Sequence, residues 1–369
     1  MEIRNSFDIN TYSSFKGHEA KKLSTILVQK DKKFGAEAIL QQLDSIASQY
    51  QVRVEPIRYF SGPWIQDEIY FTPNKKVISA NYRYASGYAD IYGLEPDTIT
   101  SNTNNFRTKE IDGGNILFVT DKNGQQVILT ARNKDGVCEL EGYDNVLNPD
   151  KIIQLPRADF HADLFVTPIG DNKVLVANDK LMLDGLDRIL EACVFFVTDN
   201  PNDESAKEIE EVSKKLLKVV EMFEESTKNY KFKGCDEESA KILQENGFEV
   251  ITVPSRIYNF EKWNKENNTE DITHLLNYSN AITFKDRNGE TVLVTGKSGL
   301  EQRIGLTDKI AKKIGIDFET LFKEAVSPHI KPENIHFILG DKKKPIASIL
   351  EEFKGGLHCM CTEVPDYLC

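Results

Sequence analysis

No stretch of this chain reaches the roughly twenty consecutive apolar residues needed to span a bilayer, so no transmembrane helix is expected. The opening MEIRNSFDINTYSSF also lacks the apolar core of a secretory signal peptide. Cysteine is scarce: the chain has 6 in 369 residues (Cys138, Cys193, Cys235, Cys359, Cys361 and Cys369), irregularly spaced. That excludes a disulfide framework and points to a reducing cytoplasm. There is no CxxC pair, no Walker motif and no GxGxxG loop, which removes thioredoxin-like redox chemistry and the common phosphate cradles. A basic surplus is missing as well, since 46 Lys and Arg face 58 Asp and Glu, leaving a formal charge of −12. Such a chain does not grip nucleic acid through its phosphates, whereas a negative field concentrates a cationic substrate.

What remains is an ordinary globule, 40% hydrophobic and 28% charged, with no Ser/Pro/Gly linker or low-complexity tract. Residues 1–20 read as a polar leader and 21–369 as a single α/β or α+β domain. Lys22–Gln29 and Val52–Ile57 read as strands, separated by a helix with the stripe Ala36, Ile39, Leu43 and Ile46. A long amphipathic helix begins near Asp203 and carries Ile209, Val212, Leu216, Val219 and Phe223 on one face. A shorter helix starts at Asp236 as N-cap and stops at Gly247, before the strand Phe248–Val253. One more spans 308–325, and a last one carries Ile346, Leu350 and Phe353.

The most informative pattern is an internal repeat. DEIYFTPNKKVISAN from Asp67 aligns with DLFVTPIGDNKVLVAN from Asp163, and NILFVTDKNGQQVILTA from Asn115 with NAITFKDRNGETVLVTG from Asn280. Each reads as a β-hairpin with an Asn-Lys, Asp-Asn or Asn-Gly turn and a polar Asp or Asn at the strand entrance. Four such hairpins suggest repeated modules converging on a shared centre. The entrances read GPWIQDE (62–68), DGGN (112–115), FHAD (160–163), NYSN (277–280) and GGLHC (355–359). Together they offer carboxylates, a histidine and a cysteine, the set nucleophilic catalysis needs. The glycines of DGGN and GGLHC serve either as turn residues or to let backbone approach closely. A rival reading is zinc on His358, Cys359, Cys361 and Cys369, although no CxxC knuckle or second ligand pair supports it.

In this order the motifs resemble those of the guanidino-group-modifying, or pentein, superfamily. Trp64-Ile65-Gln66-Asp67-Glu68 is similar to the W-[IM]-Q-D-E of peptidylarginine deiminases and, more loosely, to the W-x-R-D of agmatine deiminases. Asp112–Asn115 resembles [ED]-G-G-[ND], His161-Ala162-Asp163 resembles H-x-D, and Gly355–Cys359 resembles G-[GE]-x-H-C. The resemblance implies an α+β fold, an α/β propeller in which five ββαβ-type modules fan about a pseudo-fivefold axis. It also implies that Cys359 attacks a guanidinium carbon, Asp67 and Asp163 hold the guanidinium N–H groups, and His161 handles the proton, paired with Asp112. Trp64, Gln66, Asn115 and Asn280 line the substrate, the two asparagines at the rim, while Arg83 and Arg107 are candidates for a substrate carboxylate or peptide carbonyl.

No cofactor is implied. The calcium of the vertebrate peptidylarginine deiminases lacks part of its acidic ligand set here, because Ile69, Tyr70 and Phe71 follow Glu68. The expected activity is an arginine deiminase on peptide, protein or small guanidino substrates, with no nucleic-acid or membrane partner. GGLHCMCTEV also resembles the nucleophile segment of amidinotransferases, so transfer to an amine stays open, as does a non-catalytic pentein scaffold.

Overall fold

All four hairpins form, and each gains a third strand, of which the sequence reading placed one, Phe248–Val253, found at Glu249–Pro254. The computed structural model describes residues 23–29, 36–57, 64–79, 81–98, 113–132, 140, 147–156, 161–228, 234–255, 276–341, 346 and 356–366, with Asp67 described by its backbone. The 1–20 leader and, apart from Ile346, the helix expected around Leu350 and Phe353 lie outside the described residues.

Strand β1 (Leu23–Gln29) runs parallel to β2 (Arg53–Ile57), with helix α1 (Ala36–Ala47) between them in sequence. Four antiparallel hairpins follow: β3 (Tyr70–Phe71) with β4 (Lys76–Ser79), β6 (Leu117–Thr120) with β7 (Gln126–Ala131), β9 (Val166–Gly170) with β10 (Lys173–Asn178), and β12 (Ile282–Lys285) with β13 (Thr291–Gly296). Each second strand takes a parallel neighbour, respectively β5 (Glu95–Thr98), β8 (Lys151–Leu155), β11 (Glu249–Pro254) and β14 (Ile335–Ile338).

A parallel partner needs a long crossover, usually helical. Helix α2 (Tyr82–Tyr92) makes the one between β4 and β5. Helices α3 (Asp179–Asp199), α4 (Ala206–Lys228) and α5 (Cys235–Glu245) lie in the one between β10 and β11, and α6 (Leu300–Ile304), α7 (Asp308–Ile314) and α8 (Phe318–Val326) in the one between β13 and β14. Strand β15 (Cys361–Pro365) pairs antiparallel with β1, so the remaining sheet is built from both ends of the chain. The result is an α+β fold of five three-stranded sheets.

Side-chain alternation explains how the sheets associate, because neighbouring residues on a strand point to opposite faces. Ile26 and Val28 join a cluster with Ile282, Phe284 and Val294 of the β12–β13–β14 sheet, whereas Leu27 joins Phe71 and Val77 of the β3–β4–β5 sheet. Tyr70 and Ile78 of that same sheet turn the other way, onto Phe118 and Ile128. Val119 and Val127 then meet Val174 and Val176, and Leu175 meets Leu293 and the helical layer around Phe322. Every sheet therefore has two buried faces, which is why its strands read as nearly continuous apolar runs. The five clusters close a circuit through all five sheets.

Several boundaries differ from the sequence reading for local reasons. The helix expected over 308–325 is two helices: Gly315, at φ 79°, ends α7, and the Asp317 side chain accepts from Thr320 N at 2.7 Å to start α8. Helix α5 begins after Gly234 (φ 82°), and Asp236, expected as the cap, is buried in its first turn. The helix placed near Asp203 begins at Ala206. Helix α3 was not anticipated, because exposed Val194 and Phe195 blur the stripe of Met182, Leu186, Ile189 and Cys193. Among the described residues no helix is long and apolar enough to cross a membrane.

One acid in this layer titrates far from its ordinary value. Burial, followed by the charges of Glu319 and Asp317, pushes the Glu301 carboxyl up from 4.5 to about 8. A raised carboxyl means that the folded state holds a proton the unfolded chain has lost, so its contribution to stability falls as pH rises from 4.5 to 8. Glu301→Gln is expected to flatten that slope and to gain roughly 2 kcal/mol or more over the parent between the two limits, at about 1.4 kcal/mol per pH unit. Urea midpoints measured across the interval check this, and an unchanged slope contradicts it.

Candidate active site

The residues just before the first strand of each sheet are laced to one another. Short 3₁₀ turns at Ile65–Asp67, Gly113–Asn115 and Ala162–Leu164 precede β3, β6 and β9. Asn280 precedes β12, and a turn at 357–360 precedes β15. The DGGN glycines serve close approach: a Cβ on Gly113 would overlap the Gln66 carbonyl, and one on Gly114 would overlap the His161 ring. Asn115 Oδ1 accepts from Ala162 N at 2.9 Å and from Ala131 N at 3.3 Å, tying two modules together.

Asn280 is the hub. Its Nδ2 donates to Asp163 Oδ2 at 2.9 Å and to Cys359 Sγ at 3.3 Å. Its Oδ1 accepts from the backbone N–H groups of His358 at 2.8 Å and Cys359 at 3.3 Å. Gly356 makes room for it, since a Cβ at that position would overlap Asn280 Oδ1. The Cys359 thiol donates to Asp163 Oδ2 at 3.2 Å, and His358 Nδ1 lies 2.9 Å from the same oxygen. Gln66 Nε2 stands 3.0 Å from both ring nitrogens of His358.

Gln66, Asp163 and Asn280 are each no more than 3% exposed, and Cys359 is 6% exposed. Two acceptors in this dry pocket, Asp163 Oδ1 and Gln66 Oε1, have no hydrogen-bond partner among the described residues. Leaving such atoms unmade costs about 1–3 kcal/mol each. The pocket is therefore shaped for a ligand that brings donors, above all a cation.

Burial, followed by the Glu363 charge, pushes the Cys361 thiol far above its ordinary range, and it belongs to the core beneath β15. Burial raises the thiols of Cys193 and Cys235 to about 11. Among the described residues no three His, Cys, Asp or Glu side chains form a metal-ion ligand set, and Cys369 of the zinc reading lies outside them.

The structure thus joins Gln66, Asp163, Asn280 and Cys359. Asn115 and Asn280, expected at the rim, are both 2% exposed, because their amides hold backbone and side chains between modules. His161 is buried with its ring against Gly114. The imidazole that reaches the Asp163 carboxylate is His358, which the motif reading treated only as a zinc candidate. Its position next to the cysteine was visible, but its partners lie 195 and 292 positions away. Trp64 is half-buried against the β1 and β12 core, and Arg83 is exposed in the first turn of α2. Asp112, Arg107 and the Asp67 side chain lie outside the described residues.

Gly356→Ala tests this lacing without removing a polar group, since the new methyl would press on Asn280 Oδ1. Displacement of Asn280 by the new methyl is expected to slow iodoacetamide labelling of Cys359 at least tenfold or to accelerate it at least tenfold, while far-UV circular dichroism stays native. Labelling within a factor of two of the parent counts against the arrangement.

No family model matches the chain, and no curated protein matches it. Solved structures do resemble it. A C. jejuni agmatine deiminase with substrate bound aligns over 95% of this chain and 96% of its own, at 13% identity and TM-score 0.48. A structure described as a putative peptidyl-arginine deiminase aligns over 96% of this chain and 100% of its own, at 14% identity and TM-score 0.47. The DDAH of Pseudomonas aeruginosa in complex with citrulline aligns over 93% and 99%, at 10% identity and TM-score 0.40. All three are members of the pentein superfamily.

Proposed function

We propose that this protein is a guanidino hydrolase, a deiminase that converts an arginine-type guanidinium into a ureido group and ammonia. The observation that carries the reading is the Cys359 thiol 3.2 Å from the buried Asp163 carboxylate, beside the acceptors Asp163 Oδ1 and Gln66 Oε1, which have no partner among the described residues. A guanidinium is flat, cationic and rich in N–H donors, so it supplies what Asp163 Oδ1 and Gln66 Oε1 lack. The sheet circuit is read here as five modules fanned about a pseudo-fivefold axis, with the site at the end where the strand entrances meet.

In the proposed reaction the guanidinium docks on Asp163 and Asp67, which orient its carbon toward Cys359 without competing as nucleophiles. The thiol proton passes to solvent or to His161, and the thiolate adds to the carbon through a new S–C bond. His161 then protonates one nitrogen, the C–N bond breaks, and ammonia leaves a covalent thiouronium. Water, giving its proton to His161, adds to the same carbon, and the S–C bond breaks to release the ureido product and restore the thiol. Asn280, on both Sγ and Asp163 Oδ2, keeps the nucleophile and the anchoring carboxylate in register. The natural substrate is placed among peptidyl-arginine and small arginine derivatives.

The test is direct. Incubated with agmatine, free arginine and an arginine peptide, the protein is expected to release ammonia and ureido product in equal amounts, with Cys359→Ala reduced at least a thousandfold. Amidino transfer to added glycine or ornithine in place of ammonia release would make the protein an amidinotransferase. Inertness toward every guanidino compound would reject an enzymatic role.

A further inference from the structure

The buried His358 imidazole is a polar group of the site to which the proposed reaction gives no task. The residue is fixed at both ends of its backbone: its N–H donates to Asn280 Oδ1 at 2.8 Å, and its carbonyl accepts from Cys361 N at 3.0 Å. From that anchored turn the ring bridges two other strand entrances. Its Nδ1 lies 2.9 Å from Asp163 Oδ2, and Gln66 Nε2 stands 3.0 Å from its two nitrogens.

Both neighbours end in a flat group with two polar atoms, and the imidazole meets one atom of each. The other two atoms, Asp163 Oδ1 and Gln66 Oε1, are the acceptors without a partner among the described residues. In a planar group, holding one atom fixes the direction of the other. The consequence of a half-turn differs between the two. Turning the Asp163 carboxylate exchanges like oxygens, whereas turning the Gln66 amide puts an N–H where Oε1 had been. An N–H aimed at a cation repels it. The torsion concerned joins a tetrahedral carbon to a planar one and is the soft one of a glutamine, broad and roughly two-fold. The stem is already held, since the Gln66 carbonyl and Cβ press so closely on Gly113 that no Cβ fits there. Among the described residues the amide's hydrogen-bond partner is His358.

We propose that His358 is a positioning residue for the guanidinium, holding the Gln66 amide so that Oε1, and not Nε2, faces the substrate. The role rests on the guanidino hydrolase reading above, and it is distinct from the proton transfer given there to His161. Its effect is selective. A guanidinium offers only N–H donors and needs an oxygen opposite it. The ureido product, in which one nitrogen has become a carbonyl oxygen, can meet the amide either way round. A pocket that keeps Oε1 inward therefore favours the substrate over the product it must release.

Kinetics of His358→Ala separate this role from mere packing. The substrate is whichever of agmatine, free arginine and the arginine peptide the parent turns over, and its own ureido product serves as the competitive inhibitor. KM is expected to rise about tenfold or more, with a smaller fall in kcat, while the inhibition constant of the product stays within threefold of the parent's. An unchanged KM, or an equal loss of affinity for substrate and product, overturns the role. Should His358→Ala not fold, a crystal structure of Cys359→Ala with that substrate decides. The Gln66 amide is then expected with one end on His358 and the other within hydrogen-bond distance of a guanidinium nitrogen, a place only Oε1 can fill. An amide turned off the ring or away from the guanidinium overturns the proposal. A parent inert toward every guanidino compound rejects the reaction and this role together, whereas an active parent with parallel losses in the variant rejects the role alone.

Discussion

The side-chain amide of Asn280 is the interaction on which the site depends. It gives hydrogen bonds to Asp163 and Cys359 and takes them from the backbone of the turn that carries the cysteine. An amide gives two hydrogen bonds and takes two from one position: a carboxylate there would set like charge against Asp163, and an aliphatic side chain would remove all four bonds. Gly356 completes the arrangement by removing the one Cβ that would collide with it. Three strand entrances, from three separate sheets, are thereby held to hydrogen-bond tolerance by a single side chain.

That tolerance is possible because the sheets themselves cannot drift. Each is sandwiched between two neighbours through alternate residues of the same strands, so a shift of one sheet disturbs two apolar clusters. Gly113 and Gly114 carry the same rigidity to the entrances, where backbone packs against Gln66 and His161 with no space for a side chain. A site that must oppose a thiol and a carboxylate in a dry pocket needs a frame of this kind, since a displacement of an ångström would separate them.

Much of this was legible in the chain. The hairpins could be read because their signals are local: alternating apolar residues around Asn-Gly and Asp-Asn turns, whose Gly124, Asp171, Asn172 and Gly289 adopt the left-handed backbone those turns need. The polar residues at the strand entrances followed from aligning the repeats. Less legible were the parallel third strands, since nothing in β5 or β8 states which distant strand it joins. The central place of Asn280 was hidden for the same reason, its partners lying 117 and 79 positions away. His358 was in plain view beside Cys359, but only the folded chain reveals that it meets Asp163 and Gln66. Helix α3 was obscured by apolar residues on its outer face.

The pairing of β15 with β1 sets an order of events. The cysteine turn leads directly into β15, and β15 finds its place against a strand made more than three hundred residues earlier in synthesis. Contacts of such sequence separation form late, after the locally connected hairpins have been available for some time. Closing the circuit and delivering the thiol to Asp163 are therefore one step. The unfinished polypeptide holds Asp163 without Cys359, and Cys359 without its pocket, until the last sheet is complete.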